Sequence, residues 1–98
     1  MDVIIPTYKN KKGLRATLNT IPKSDLINII VVDDCSNLDY SDILNDYPYI
    51  HFYTLETNQG PGMARQYGLE HSSGTYIVFL DTGDYFYEGG AKTILQQI

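Results

Sequence analysis

The sequence has few of the residues that would indicate an extracellular, membrane-spanning or nucleic-acid-binding protein. Its single cysteine, Cys35, excludes an internal disulfide and fits a reducing compartment. It has no run of about 18 apolar residues, the length that a membrane span needs. Only seven of the 98 residues are lysine or arginine, and the net charge of −5 argues against a nucleic-acid partner. We therefore expect a cytoplasmic protein without a membrane span in this chain. A strand pattern that begins by residue 3 leaves no room for a signal peptide.

Apolar runs typical of strands alternate with helical patterns along residues 1–98, which we expect to form one domain. The strand-like runs cover residues 3–5, 28–32, 50–55 and 76–80, and the third of them suits a sheet edge. Helical spacing covers residues 11–20, a short segment after residue 39, residues 61–70, and a fourth segment from Ala91 to Ile98. This alternation predicts a three-layer, Rossmann-like α/β fold, with a mostly parallel sheet of about four strands and helices on both faces.

Polar residues follow three of the predicted strands directly. Asp33 and Asp34 come after the β-branched run of residues 29–32, which has the composition of a strand buried on both faces. Pro6 should end the first strand, because proline cannot donate to a ladder. Ligands bind beyond the carboxyl ends of the strands in open α/β sheets, so we expect Tyr8, Asp34 and Asp81 to share one acidic site. The alternative is that the aspartate pair only caps a loop.

Carboxylates that meet at one sheet edge repel each other unless a cation compensates them. A divalent cation such as Mg²⁺ or Mn²⁺ is the usual partner, and it is held by one or two carboxylates together with phosphate oxygens. Such an ion screens a diphosphate and polarises it as a leaving group. The sequence therefore predicts a divalent cofactor at this edge.

Four motifs in order give the chain a resemblance to family 2 glycosyltransferases, which have the nucleotide-diphospho-sugar transferase (GT-A) fold. The resemblance covers nearly the whole chain. The motifs are Val3-Ile4-Ile5-Pro6-Thr7-Tyr8, Val31-Val32-Asp33-Asp34-Cys35-Ser36, Asn58-x-Gly60-Pro61-Gly62-x-Ala64-Arg65 and Phe79-Leu80-Asp81-Thr82-Gly83-Asp84.

The resemblance implies that the partner is a nucleotide-diphosphate sugar. Pro6, Thr7 and Tyr8 would lie against the base and the ribose of the nucleotide. Asp34 would accept a hydrogen bond from the base, and Arg65 would help to order the nucleotide site.

The resemblance also implies a metal site and a reaction. Asp84 would be the metal ligand beneath the diphosphate, and Asp81 would contact the ribose or the ion. The acceptor, which the sequence does not identify, would attack through a hydroxyl group and invert the anomeric centre. The setting that the family implies is cell-surface polysaccharide synthesis, and the full-length protein could work at the inner face of the membrane.

The sequence departs from the family pattern at several positions. Gly83 stands where the family usually has an acidic residue, which leaves one carboxylate fewer for a cation. Cys35 replaces a common glycine, and Gln66 replaces a common asparagine. The family's catalytic base and acceptor-binding half lie beyond the position of Ile98. We therefore expect a donor-binding part that is inactive alone and that could self-associate through the face left by the other half.

Two other functions stay open at this point. A receiver-type phosphoacceptor domain also has apolar strands that end in an aspartate pair and a later aspartate, here Asp81. A non-catalytic binding module on the same half fold is the second. Tyr85, Phe86 and Tyr87, which follow the acidic loop, could form the floor of a sugar pocket or pack beneath the missing half.

Overall fold

The computed structural model describes residues 1–73 and 76–84 with their side chains, and residues 94–96 as backbone. The aromatic run of residues 85–87 lies outside the described residues. The strands are β1 (Asp2–Thr7), β2 (Asn28–Asp33), β3 (His51–Thr54), β4 (Tyr76–Phe79) and β5 (Ile94–Gln96), and the helices are α1 (Lys11–Thr20), α2 (Ser41–Asp46) and α3 (Pro61–Glu70).

The described strands form one sheet in the order β3-β2-β1-β4-β5. The pairs β1–β2, β2–β3 and β1–β4 are parallel, and β5 pairs antiparallel with β4. The prediction of a mostly parallel sheet with the third strand at an edge is confirmed, and the antiparallel β5 is added to the four strands that were expected. Asp2 pairs with Asn28 and Thr7 with Asp33, so β1 and β2 end level with each other. The loops that follow these two central strands therefore leave from the same end of the sheet, at the carboxyl ends of its parallel strands.

Each face of the sheet carries its own apolar cluster. On one face, α1 and α2 contribute Leu14, Leu18 and Ile43, which pack with β-strand residues such as Val3 and Val31. On the other face, α3 packs on a second set of strand residues that includes Ile4, Ile30 and Val32. Successive strand residues point to opposite faces, so the unbroken apolar runs of β1 and β2 fill both clusters. The three-layer prediction is confirmed.

Helix α3 lies close to the sheet because small residues face it. Ala64 and Gly68 are buried and lie four positions apart, as one face of a helix requires. A Cβ atom at residue 68 would lie 2.6 Å from the Cγ2 atom of Ile4. Only glycine therefore allows this helix to approach β1 so closely.

Helices α1 and α2 are joined by ion pairs on their exposed side. Arg15 contacts Asp42 at 3.1 Å and Asp46 at 2.6 Å, and Lys11 contacts Asp42 at 2.8 Å. The hydrogen bonds from Lys11 and then Arg15 lower the pKa of Asp42 to about 2. At its start, α1 is capped by Asn10, whose side chain accepts a hydrogen bond from the Gly13 N–H.

Two predictions about the elements are wrong. Pro6 does not end the first strand, since β1 continues to Thr7. The carbonyls of Ile4 and Pro6 accept hydrogen bonds from the Leu80 N–H and the Thr82 hydroxyl, which both follow β4. The side of Pro6 that lacks an N–H therefore faces β4, beyond the last residue pair of the β1–β4 ladder. No ladder bond is lost there.

The second wrong prediction concerns the chain near residue 94. Ile94 and Leu95 belong to strand β5 rather than to a helix. A short apolar run satisfies either period, and pairing with the free edge of β4 decides between them. Ala91 and Ile98, the ends of the predicted helix, lie outside the described residues. None of the described helices has the length and hydrophobicity of a membrane span.

Candidate functional site

A pocket of about 360 Å³ lies where β1 and β2 end, between their following loops, the start of α3 and the loop after β4. The structure brings to this pocket all six residues that the sequence predicted for substrate binding, although their roles stay predictions. Its lining comprises Pro6, Thr7, Tyr8, Asn10, Asp34, Asn58, Gly60, Pro61, Ala64, Arg65, Asp81 and Thr82. The sequence therefore predicted correctly that Tyr8, Asp34 and Asp81 share one edge.

Hydrogen bonds to Asp34 hold the turn before α3 against the end of β2. Asp34 is 4% exposed, and its carboxylate accepts hydrogen bonds from the N–H groups of Gln59 and Gly60, both at 2.7 Å. Its carbonyl accepts a third from the Asn58 side chain at 3.0 Å. A carboxylate offers about four lone-pair sites, so it retains capacity for a ligand donor. The sequence analysis quoted this segment as a family motif, but it did not predict that Asn58 and the backbone of residues 59 and 60 bind Asp34.

The side chain of Asp33 points to the face of the sheet that α1 and α2 cover, and it does not line the pocket. It is 1% exposed and accepts hydrogen bonds from the Ser36 N–H at 3.1 Å, the Ser36 hydroxyl, and the Tyr40 hydroxyl at 3.0 Å. Burial raises the pKa of Tyr40, which keeps this phenol protonated as a donor. The loop-capping interpretation therefore describes Asp33, whereas Asp34 faces the pocket.

The loop after β2 contains two residues in the left-handed region, Cys35 with φ of 61° and Asn37 with φ of 58°. This conformation explains why a glycine is common at the position of Cys35 in the family that the sequence resembles. The Cys35 thiol donates to the Glu56 carbonyl at 3.4 Å. Cys35 thus packs the loop against the segment after β3, and it does not line the pocket.

The end of β1 supplies backbone and one exposed ring to the pocket. The carbonyl of Thr7 accepts a hydrogen bond from the Asp34 N–H at 2.9 Å, which joins the two strand ends. The Thr7 side chain is buried, and its hydroxyl has no hydrogen bond of normal geometry with the described residues. Tyr8 is 45% exposed, and the Lys9 ammonium lies 5.3 Å from the centroid of its ring. Tyr8 therefore offers a flat aromatic surface at the pocket wall.

Arg65 and Asp81 form an ion pair inside the pocket. The Nη2 atom of Arg65 lies 2.6 Å from Oδ1 of Asp81. Arg65 is on the second turn of α3, and Asp81 is the second residue after β4. Their side chains are 35% and 60% exposed. Arg65 is the only cationic side chain that the pocket lining contains within the described part of the chain.

The acidic loop of residues 81–84 is held by two threonines. The Thr82 hydroxyl donates to the Pro6 carbonyl at 2.7 Å, and the N–H of Gly83 donates to the Thr17 hydroxyl at 2.8 Å. Gly83 has φ of 98°, in the region that favours glycine. Thr17 is fully buried on α1, and sequence reasoning missed it. The sequence could have indicated Thr17, because its hydroxyl lies on the same helix face as the apolar residues Leu14 and Leu18.

The two predicted metal ligands are placed differently. Asp81 lines the pocket, whereas Asp84 does not, and its N–H donates to the Asp81 carbonyl at 2.9 Å. Residues 1–73 and 76–84 contain no group of three carboxylate, imidazole or thiol side chains that could hold an ion. The exposed oxygen donors of Asp81 still fit Mg²⁺ or Mn²⁺, because these ions take one or two carboxylates and complete their shell with phosphate oxygens and water.

Comparisons with known proteins agree with this geometry. Residues 2–98 match Glycosyl transferase family 2. The poly(ribitol-phosphate) beta-N-acetylglucosaminyltransferase TarS of Staphylococcus aureus is 35% identical over 91 residues, which cover 85% of this chain and 16% of that protein. A poly(ribitol-phosphate) beta-glucosyltransferase of Bacillus spizizenii is 32% identical, and the match covers 98% of this chain and 16% of that protein.

Solved structures give the same result. Crystal structures of an S. aureus TarS fragment, alone and in complex with UDP, match this chain with a TM-score of 0.75 and 34% identity. The match covers 86% of this chain and 27% of the TarS fragment. The chain thus spans less than a third of the length of these relatives. The family match decides against the receiver-type alternative and confirms the GT-A fold. The chain belongs to glycosyl transferase family 2.

Proposed function

We propose that the pocket binds the nucleotide of a nucleotide-diphosphate sugar, and that the protein transfers this sugar to an acceptor hydroxyl with inversion. The observation that carries the proposal is the meeting of six predicted residues, from three strand ends and α3, in one pocket. The UDP complex of the similar TarS fragment supports a nucleoside diphosphate as the ligand class.

The base and ribose bind at the end of β1 in this proposal. Tyr8 presents an exposed ring on which a base can stack, with Pro6 and the Thr7 backbone beside it. Asp34 accepts a hydrogen bond from a base N–H through the lone pairs that its backbone partners leave. Because Asp34 is already fixed by Gln59 and Gly60, it needs little reorganisation when the base binds.

The diphosphate lies toward Arg65 and Asp81. The Arg65 guanidinium has the planar donor geometry that suits phosphate oxygens. Asp81, with Asp84 as the second candidate, would hold Mg²⁺ or Mn²⁺. When bound, such an ion stabilises the charge that develops on the departing nucleoside diphosphate. The chain's own contribution is to bind the nucleotide and to orient its phosphates.

The complete reaction needs residues outside this chain in our proposal. The base that deprotonates the acceptor, and the acceptor-binding half, would belong to polypeptide beyond residue 98, so residues 1–98 alone bind the donor without transferring the sugar. The poly(ribitol-phosphate) substrates named for two relatives support a cell-surface polymer as the acceptor class. A cytoplasmic location and self-association through the face toward that half stay predictions.

Replacement of Tyr8 by alanine tests the nucleotide site. Loss of base–aromatic stacking should weaken binding of the preferred nucleoside diphosphate about tenfold in the presence of Mn²⁺, as isothermal titration calorimetry would measure. Tyr49→Ala is the matched control, because Tyr49 is exposed to a similar degree and lies outside the pocket. If the parent chain binds none of UDP, GDP, CDP and dTDP with Mn²⁺, the proposal is wrong.

A further inference from the structure

We propose that the side-chain amide of Asn10 is a further binding group of the pocket, and that it donates a hydrogen bond to an oxygen atom of the nucleoside. Asn10 lines the pocket. It follows Tyr8 by two residues, on the side of the pocket where we place the base and the ribose. This inference rests on the proposed function of the pocket, and it gives Asn10 a role beyond the capping of α1.

The helix cap fixes the orientation of this amide. The Oδ1 atom of Asn10 accepts a hydrogen bond from the Gly13 N–H at 3.0 Å. A side-chain NH2 group cannot accept from that N–H, so the cap decides which end of the amide faces the helix. The two N–H bonds of Nδ2 therefore remain as donors for a ligand. Because the cap already holds the side chain, little conformational freedom is lost when a ligand binds it.

Gly13 provides the space that the amide occupies. A Cβ atom at residue 13 would lie 2.4 Å from Nδ2 and 2.8 Å from Cγ of Asn10. Any other residue at this position would therefore displace the Asn10 side chain. Glycine is a poor helix former, and the room that the Asn10 amide needs explains its presence in the first turn of α1.

Neighbouring polar side chains of the pocket do not supply this donor. The Asn58 amide and the Thr82 hydroxyl donate to main-chain carbonyls, at 3.0 Å and 2.7 Å. The Thr7 side chain is buried, and the Asp34 carboxylate can only accept. The Asn10 amide donates to no acceptor within residues 1–73 and 76–84. Base carbonyls and ribose hydroxyls lose water on binding and need a donor in its place, which Asn10 can provide.

Replacement of Asn10 by serine tests the inference, because serine caps a helix as well as asparagine does but has no amide. The thermal midpoint of Asn10→Ser should therefore equal that of the parent. Its affinity for the preferred nucleoside diphosphate in Mn²⁺ should fall about two- to tenfold, as expected for loss of one hydrogen bond. The free nucleoside should lose the same factor. Calorimetric titration measures the diphosphate, and NMR titration measures the weaker nucleoside.

Asn45→Ser is the matched control, because Asn45 is exposed on α2 and lies outside the pocket lining. Its nucleotide affinity should equal that of the parent. The 2′-deoxy form of the nucleotide distinguishes the two kinds of oxygen. The effect of Asn10→Ser would vanish with this ligand if the acceptor is the ribose 2′-hydroxyl, and it would persist if the acceptor is a base carbonyl. A loss of affinity for the diphosphate alone would place the amide on the phosphates and would overturn the inference.

Gly13→Ala completes a double-mutant cycle. Alanine favours the helix, but its Cβ atom displaces the Asn10 amide, so nucleotide affinity should fall in the parent. In the Asn10→Ser background the same change should have no effect on affinity. An equal loss in both backgrounds would overturn the inference.

The outcomes separate this inference from the proposed function. If the parent binds the nucleoside diphosphate and Asn10→Ser binds it equally well, only the inference is wrong. A parent chain that binds no nucleoside diphosphate even with Mn²⁺ overturns the proposed function, and the inference with it.

Discussion

Asp33 and Asp34 are neighbours in sequence but have opposite surroundings, and this difference defines the site. Successive residues of a strand point to opposite faces of the sheet. Asp33 is therefore directed into the α1 and α2 side, where Ser36 and Tyr40 satisfy it. Asp34 follows the last strand residue and turns toward the start of α3. The residue pattern placed a carboxylate pair at a strand end but could not say which one reaches a ligand, since that depends on the loop that follows.

Thr17 is the positioning residue that we expect to matter most for the acidic loop. Replacing it with valine removes the acceptor of the Gly83 N–H and leaves the shape of the side chain almost unchanged. A typical hydrogen bond contributes about 0.5–1.5 kcal/mol, so nucleotide affinity in Mn²⁺ should fall between about twofold and tenfold. Calorimetric titration with the preferred nucleoside diphosphate measures this change.

Two comparisons separate positioning from general damage. Thr17→Ser keeps the hydroxyl and should restore the affinity for the diphosphate. Binding of the corresponding nucleoside, which relies on Tyr8 and Asp34, should be equal in the parent and Thr17→Val. Equal loss of nucleoside and diphosphate affinity would contradict a role for Thr17 in holding the loop.

At the scale of elements, the helix boundaries followed directly from local chemistry. Asn10 caps α1, and Pro61 occupies the first position of α3, which agrees with the residue ranges that helical spacing predicted. The strand β2 was equally clear from its β-branched run. Prediction failed where a partner element decides the outcome, as for Ile94 in β5 and for Pro6 inside β1. A single segment does not encode which neighbour will accept its backbone hydrogen bonds.

The contact between α3 and β1 should be sensitive to one methyl group. Gly68→Ala would place a Cβ atom 2.6 Å from the buried Cγ2 of Ile4, so the helix must shift or Ile4 must change its rotamer. Overpacking of this kind costs about 1–3 kcal/mol. Urea denaturation monitored by circular dichroism should show a lower midpoint for the variant.

Gly62→Ala provides the control in the same helix. No atom lies within 4 Å of a Cβ built at residue 62, so alanine should be tolerated and should favour the helix slightly. If Gly68→Ala were as stable as Gly62→Ala, the close approach of α3 to the sheet would not be a determinant of the fold.

At the scale of the whole molecule, the described core clusters and the pocket lining share only one residue, Ala64. The two apolar clusters lie on the faces of the sheet, whereas the pocket lies at its edge, and no ion-binding cluster occurs among residues 1–73 and 76–84. Folding of the nucleotide-free chain should therefore not need a metal. The fold could therefore be predicted from the alternation of strand and helix patterns without any knowledge of the ligand.

Thermal unfolding with and without a chelator tests whether the fold needs a metal ion. EDTA should leave the thermal midpoint of the nucleotide-free chain unchanged. Mn²⁺ with a nucleoside diphosphate at about 100 times its Kd should stabilise the chain by about 2.7 kcal/mol, or roughly 10 °C or more for a domain of this size. A drop in the midpoint on adding EDTA alone would show that an ion supports the fold itself.

Strand runs and the chemistry of strand ends are local signals, and they predicted the parallel sheet, helices α1 to α3 and the meeting of Tyr8, Asp34 and Asp81. The other three predicted pocket residues, Pro6, Thr7 and Arg65, came from the family resemblance. The sequence did not predict the Arg65–Asp81 contact, the anchoring of Gly83 by Thr17, or the different roles of Asp33 and Asp34. Each of these depends on side chains that meet only after the chain folds, at separations of up to 66 residues. Periodicity carries no information about such meetings.

The backbone of Gly83 limits how this loop can be re-engineered. With φ of 98°, the position disfavours any residue that carries a Cβ atom, although space beside it is open. An aspartate introduced there to supply another carboxylate would have to pull the main chain out of its present shape and away from Thr17. Acquiring a more acidic loop therefore requires a new backbone path, and a single exchange is not enough.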